Sequence, residues 1–66
     1  MSQDSAARYL THEWQSTPEL YAKAVAEDPR THYVTFTKNL MDLARQHRAE
    51  RKRPSRSGPS LWRLRP

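Results

Sequence analysis

The chain has no cysteine. That excludes a disulfide framework and any thiolate metal site. A small extracellular domain with a thin core usually carries such staples, so a cytoplasmic setting is expected, or a nuclear one if the source is eukaryotic or viral. One glycine in 66 residues leaves no glycine-rich phosphate loop. No apolar run approaches the ~18 residues of a membrane span, and residues 1–10 have neither the basic start nor the apolar stretch of a secretory signal. Large core formers are scarce as well. Leu10, Leu20, Leu40, Leu43, Leu61, Leu64, Val25, Val34 and Phe36 make nine in 66, below the roughly 20 % at which charged chains drift toward disorder. Tyr9, Trp14, Tyr21 and Tyr33 offset this in part, because a buried aromatic side chain removes about 150–250 Å² from water.

Acids are also nearly missing from the last third. Residues 45–66 hold Arg45, Arg48, Arg51, Lys52, Arg53, Arg56, Arg63 and Arg65 against Glu50 alone, whereas residues 1–44 hold four cations and six acids. The formal net charge of +5 therefore conceals a strong polarity along the chain. Such a block repels itself and becomes ordered only against a polyanion or an acidic protein surface.

What is present reads as three helices. The first spans about residues 4–15, with Ala6, Ala7, Leu10 and Trp14 at helical spacing. Thr17-Pro18-Glu19 then looks like a cap, a first-turn proline and an acid favoured by the helix dipole, opening a second helix with Leu20, Tyr21, Ala24 and Val25 on one face. Asp28-Pro29 closes it and opens a third. There, Tyr33, Phe36, Leu40, Leu43, Ala44 and His47 fall on one stripe; beyond His47 charges take over, and if the helix continues to about Arg53, Pro54 stops it. Residues 31–37 carry a competing signal. Val34 and Phe36 alternate with threonines, which read locally as a strand that could pair only with a second copy of the chain.

Residues 54–66 hold three prolines, the only glycine and three serines, a composition that predicts a mobile segment. The expected fold is thus all-α: a small three-helix body over residues 1–53 and a flexible basic C-terminal tail over residues 54–66 with a Leu-Trp anchor. On that view, truncation after Arg53 leaves the helical fold intact.

The candidate nucleic-acid-binding residues are Arg45, Arg48, Arg51, Lys52, Arg53 and Arg56. Guanidinium groups bind phosphate bidentately and are weakly hydrated, so an arginine-rich run suits a nucleic-acid backbone. Residues 45–56 are similar in composition to the arginine-rich peptides of viral and phage RNA-binding proteins, many of which order in an RNA groove. The bland reading of the run is a solvated charge cluster. A second candidate is Leu61, Trp62, Arg63 and Arg65, since Trp and Arg are frequent interface anchors; its bland counterpart has Leu61 and Trp62 folding back onto the sparse core.

His12, His32 and His47 lie far apart with no carboxylate at ligand spacing, so no metal or other cofactor is expected. The acids are scattered, and so small a core hardly encloses a water-free pocket, so catalysis is not expected. The sequence predicts a small non-enzymatic regulatory protein that binds RNA or DNA. The alternative is a phage- or plasmid-type adaptor or inhibitor that docks on a host protein through its aromatic helix face and Leu61-Trp62.

Overall fold

The computed structural model describes residues 6–54, 56 and 58–65. Its elements are a short strand β1 (Gln15–Ser16), helices α1 (Thr17–Glu27) and α2 (Tyr33–Arg45), and strands β2 (Ala49–Lys52) and β3 (Leu61–Leu64). The strands form one antiparallel sheet in the order β1-β3-β2. The fold is α+β, and the expected all-α body with a flexible tail is corrected on both counts. Residues 61–64 form the central strand of the sheet. The division at Pro54 runs through the loop of one hairpin.

The expected first helix fails at Thr11. Residues 6 and 7 are helical, and Tyr9 and Leu10 close turns by donating to the Ala6 and Ala7 carbonyls at 3.2 Å each. The Thr11 hydroxyl then accepts from the Glu13 amide at 3.1 Å and from Gln15 Nε2 at 2.9 Å, a local side-chain turn that competes with helix. The Thr11 carbonyl is taken by the Leu64 amide at 2.7 Å. The chain is thereby turned onto the sheet, where Gln15 pairs with Trp62 and Ser16 with Leu61. Residues 1–5, which the expected helix included in part, lie outside the described residues.

α1 is capped one residue earlier than the sequence implied. Ser16 Oγ accepts from the Glu19 amide at 3.3 Å, and Thr17 has a different task. It is buried, donates its hydroxyl to the Ser60 carbonyl at 3.2 Å, and accepts the Trp62 indole N–H at 2.7 Å. Asp28 and Pro29 end α1 as expected, but they do not open α2, which begins at Tyr33 after His32. The Asp28 amide reaches the Ala24 carbonyl, its carboxylate accepts from the Arg30 amide at 3.0 Å, and its carbonyl accepts from the Thr31 amide and hydroxyl at 3.0 and 2.8 Å. Tyr21 donates its phenol to the Thr31 carbonyl at 3.0 Å, which fastens the connection to α1.

Residues 33–37 are helical, so the strand alternative for 31–37 falls, although Thr31 and His32 precede the helix. A strand there would have had no partner within the chain, whereas the helix buries Phe36, Leu40 and Leu43 completely. α2 stops at Arg45, and the conditional extension to Arg53 is not made. His47 adopts φ 61, its amide donates to the Ala44 carbonyl at 3.1 Å, and the Arg48 amide reaches back to Leu43 at 2.9 Å. This is a left-handed helix stop in which glycine normally occupies the position held by His47. Holding a non-glycine residue there costs about 1 kcal/mol. His47→Gly is therefore expected to stabilise the fold by roughly that amount, read as a rise in thermal midpoint; an unchanged or lower midpoint would remove this account of the helix end.

The core joins the first turn, both helices and strands β2 and β3: Ala6, Leu10, Leu20, Ala24, Phe36, Leu40, Leu43, Ala49 and Trp62. Phe36 is its hub, with the Tyr9 ring edge-on at 6.2 Å and the Tyr21 ring tilted at 6.0 Å. Tyr33, expected in the core, is 49 % exposed and leans edge-on against Tyr21 at 5.1 Å. The Tyr9 phenol donates to Glu27 Oε2 at 2.8 Å, with Arg8 beside the same carboxylate at 3.6 Å. That hydrogen bond, then burial, then the Glu27 charge raise the Tyr9 phenol above its ordinary pKa, keeping it protonated and the first turn pinned to the end of α1.

Candidate nucleic-acid interface

Two features stand out on the surface: the outward side of α2 and the hairpin formed by β2 and β3. α2 buries Phe36, Asn39, Leu40 and Leu43. The helical period then forces Val34, Lys38, Met41 and Arg45 onto the opposite side as one seam. Val34 is 76 % exposed and Met41 45 %. Arg45 lies 3.6 Å from Asp42, so the last turn of the seam is charge-compensated. Lys38 is exposed, with no ion-pair partner among the described residues.

The hairpin holds most of the cationic run. Its register sets Ala49 opposite Leu64, Glu50 opposite Arg63, Arg51 opposite Trp62 and Lys52 opposite Leu61. Trp62 and Arg51 share one face, and the Arg51 guanidinium covers the indole at 5.6 Å while donating from Nε to Ser60 Oγ at 3.2 Å. On the other face, Arg63 donates to Glu50 at 2.6 Å and lies 4.5 Å over the Trp14 ring. Lys52 Nζ stands 5.3 Å from the same ring. These are cation–π contacts on a sheet surface, and they hold their cations against the fold.

The expected nucleic-acid-binding set is thus divided by its surroundings. Arg45 belongs to α2 and Arg48 to the turn that follows it. Arg51 and Lys52 are strand residues whose heads remain exposed above aromatic rings. Arg53 and Arg56 stand exposed in the hairpin loop, with no ion-pair partner among the described residues. The second expected set is changed more. Trp62, read as a partner anchor, is 2 % exposed and belongs to the core. Leu61 and Arg63 are only partly exposed, and Arg65 continues the pairing by donating its amide to the Arg48 carbonyl at 3.3 Å.

Sequence reasoning overlooked Val34 and Lys38 as surface residues and Trp14 as a platform for cations. The seam was available from the periodicity that placed Phe36, Leu40 and Leu43 inside. The hairpin was signalled by the apolar, β-favouring Leu61-Trp62-Arg63-Leu64 after a Ser-Gly-Pro turn. Among the described residues, no three histidine or acidic side chains gather as a metal site, and no helix is long and apolar enough to cross a membrane. Comparison with family models, curated proteins and solved structures finds no match.

Proposed function

We propose that the protein is a non-enzymatic DNA-binding regulator in which α2 enters the major groove and the β2–β3 loop grips the adjoining backbone. The observation that carries this reading is the arrangement of parts. Two helices are joined by residues 28–32, the second keeps a continuous exposed seam, and a cationic hairpin follows it directly. In the order of its elements this matches a helix–turn–helix followed by a β-hairpin wing, in which the second helix reads bases. α2 has 13 residues, a length of roughly 20 Å at about 1.5 Å per residue, and the major groove of B-DNA, about 12 Å wide, admits a helix. The deep, narrow major groove of duplex RNA does not. Duplex DNA therefore fits better than RNA.

Size limits the footprint. The longest extent of the fold is 29 Å, which spans about eight or nine base pairs at ~3.4 Å each. The docking alternative relied on the aromatic helix face and Leu61-Trp62. Phe36 is fully buried and Trp62 lies in the core, which leaves Tyr33 and the partly exposed Leu61 as the accessible part of that surface.

Titration of a 20-base-pair DNA duplex and its RNA counterpart at several salt concentrations tests the proposal. DNA should bind more tightly, with log K falling against log salt at a slope near −4, as expected for about four to five phosphate contacts. Equal affinity for the two duplexes, or a flat salt response, would remove the major-groove reading.

A further inference from the structure

We propose that the outer face of the sheet is a separate site for single-stranded nucleic acid, in which a base stacks on the Arg63 guanidinium while Lys52 and Arg65 take phosphates. Alternation along the strands divides the sheet into two faces. Ala49 and Trp62 belong to the core with the helices, so Glu50 and Lys52 of β2 and Leu61 and Arg63 of β3 face outward. Arg65 continues β3 in register, with its amide on the Arg48 carbonyl at 3.3 Å, and falls on the same outward face. Trp14, one residue before the Gln15–Trp62 pair, comes opposite Arg63 and completes the surface.

The centre of this face is assembled without a ligand. Arg63 donates from Nε to Glu50 Oε1 at 2.6 Å, and its guanidinium lies 4.5 Å from the centre of the Trp14 ring. The ion pair and the ring hold the side chain in place, so engaging it costs little further ordering. It is still 32 % exposed, and nucleic-acid bases stack on arginine guanidinium planes as they do on aromatic rings. Glu50 neutralises Arg63, which leaves the net charge of the face to Lys52 and Arg65. Both are exposed and make no ion pair among the described residues. Lys52 is paired with Leu61, and the rows of Leu61 and Arg65 are about 13 Å apart at ~3.3 Å per residue. The two cations thus bracket the Arg63 row.

The occupant follows from this combination. A second copy would set the same cations against each other, which is repulsive. An acidic protein would answer Lys52 and Arg65 and leave the supported guanidinium plane unused. Duplex DNA offers phosphates, but its bases are stacked on one another and present only their edges in the grooves. A single strand presents phosphates together with the flat faces of its bases. A cationic track combined with stacking planes is how sequence-tolerant single-strand sites work. Single-stranded DNA and RNA share both groups, so the chemistry is common to the two.

Fluorescence anisotropy of labelled oligothymidylate and oligouridylate of about 15 nucleotides, titrated with the full chain at several salt concentrations, tests the proposal. Binding of either is expected, with log K falling against log salt at a slope of about −1.4 for two phosphate contacts; the tighter of the two identifies the strand type. Lys52→Gln combined with Arg65→Gln, both at exposed positions, should fold normally, abolish that slope and weaken binding about 25-fold at ~0.1 M salt. Arg63→Lys keeps the charge and loses the plane, so it should weaken binding about five-fold or more with the slope unchanged. Absence of binding to both strands would overturn the proposal, as would full affinity in Arg63→Lys or an equally tight grip on polyglutamate. Arg53→Gln combined with Arg56→Gln separates this site from the duplex site: single-strand affinity should survive it. A single-strand loss as large as the duplex loss would place the strand on the hairpin loop and overturn the proposal. Failure of duplex binding alone overturns only the major-groove reading.

Discussion

Trp62→Ala is expected to leave the chain largely unfolded at room temperature. Trp62 is 2 % exposed, sits on the central strand, and is paired with Gln15 on one side and Arg51 on the other. Its ring also shelters under the Arg51 guanidinium, and its N–H supplies the hydrogen bond that Thr17 accepts in the interior. Loss of a buried Trp costs about 3–5 kcal/mol. A domain of this length has a total stability of only about 3–10 kcal/mol at ~0.05–0.15 kcal/mol per residue. The mutation therefore consumes most of the margin. Trp62→Phe separates the two contributions. It retains most of the apolar area and loses the N–H, so a cost of about 1–2 kcal/mol is expected, with the fold retained. Thermal melts followed by far-UV circular dichroism measure both, and Trp14 remains as a fluorescent reporter. Truncation after Arg53 removes β3 altogether and should resemble Trp62→Ala. A truncated chain with an unchanged melting point would return residues 61–64 to the status of a tail.

That last outcome is what the sequence by itself led one to expect, and the reason it did is physical. The helices were legible where local chemistry and burial agree. Ser16-Thr17-Pro18-Glu19 starts α1, Asp28-Pro29 ends it, and Phe36, Leu40 and Leu43 mark the inner side of α2. The β elements are short, and their stability is entirely non-local. Gln15 and Ser16 form a strand only because Trp62 and Leu61 lie beside them, some 45 residues away in sequence. Ala49-Glu50-Arg51-Lys52 has weak strand propensity and looked like the charged end of a helix. His47 ends α2 instead, in a left-handed conformation that histidine adopts more readily than most non-glycine residues but that its place on the apolar stripe did not suggest. The cationic run was legible as charge and hidden as geometry. In a helix Arg45, Arg48 and Lys52 would share a flank. In the hairpin Arg51 and Lys52 take opposite faces, and Arg53 and Arg56 occupy the loop.

Arg53→Gln combined with Arg56→Gln is expected to cause the largest loss of DNA affinity obtainable without disturbing the fold. Both side chains are exposed in the β2–β3 loop and make no ion pair among the described residues, so removing their charge sacrifices no structural contact of that kind. Each phosphate contact contributes about 0.9 to the slope of log K against log salt, and at ~0.1 M salt this is worth roughly eight-fold in affinity. The double variant should therefore bind about sixty-fold more weakly at that salt, with the slope reduced by about 1.8 and the melting point unchanged. Arg63→Gln supplies the contrast. Its guanidinium is bound to Glu50 and laid over Trp14, so its loss should lower the melting point modestly and leave the salt slope nearly as it was. If the loop variant kept the full slope, the phosphate contacts would have to be made elsewhere on the molecule. If Arg63→Gln lost as much slope as the loop pair, the outer face of the sheet, not the loop, would be the surface that meets the backbone.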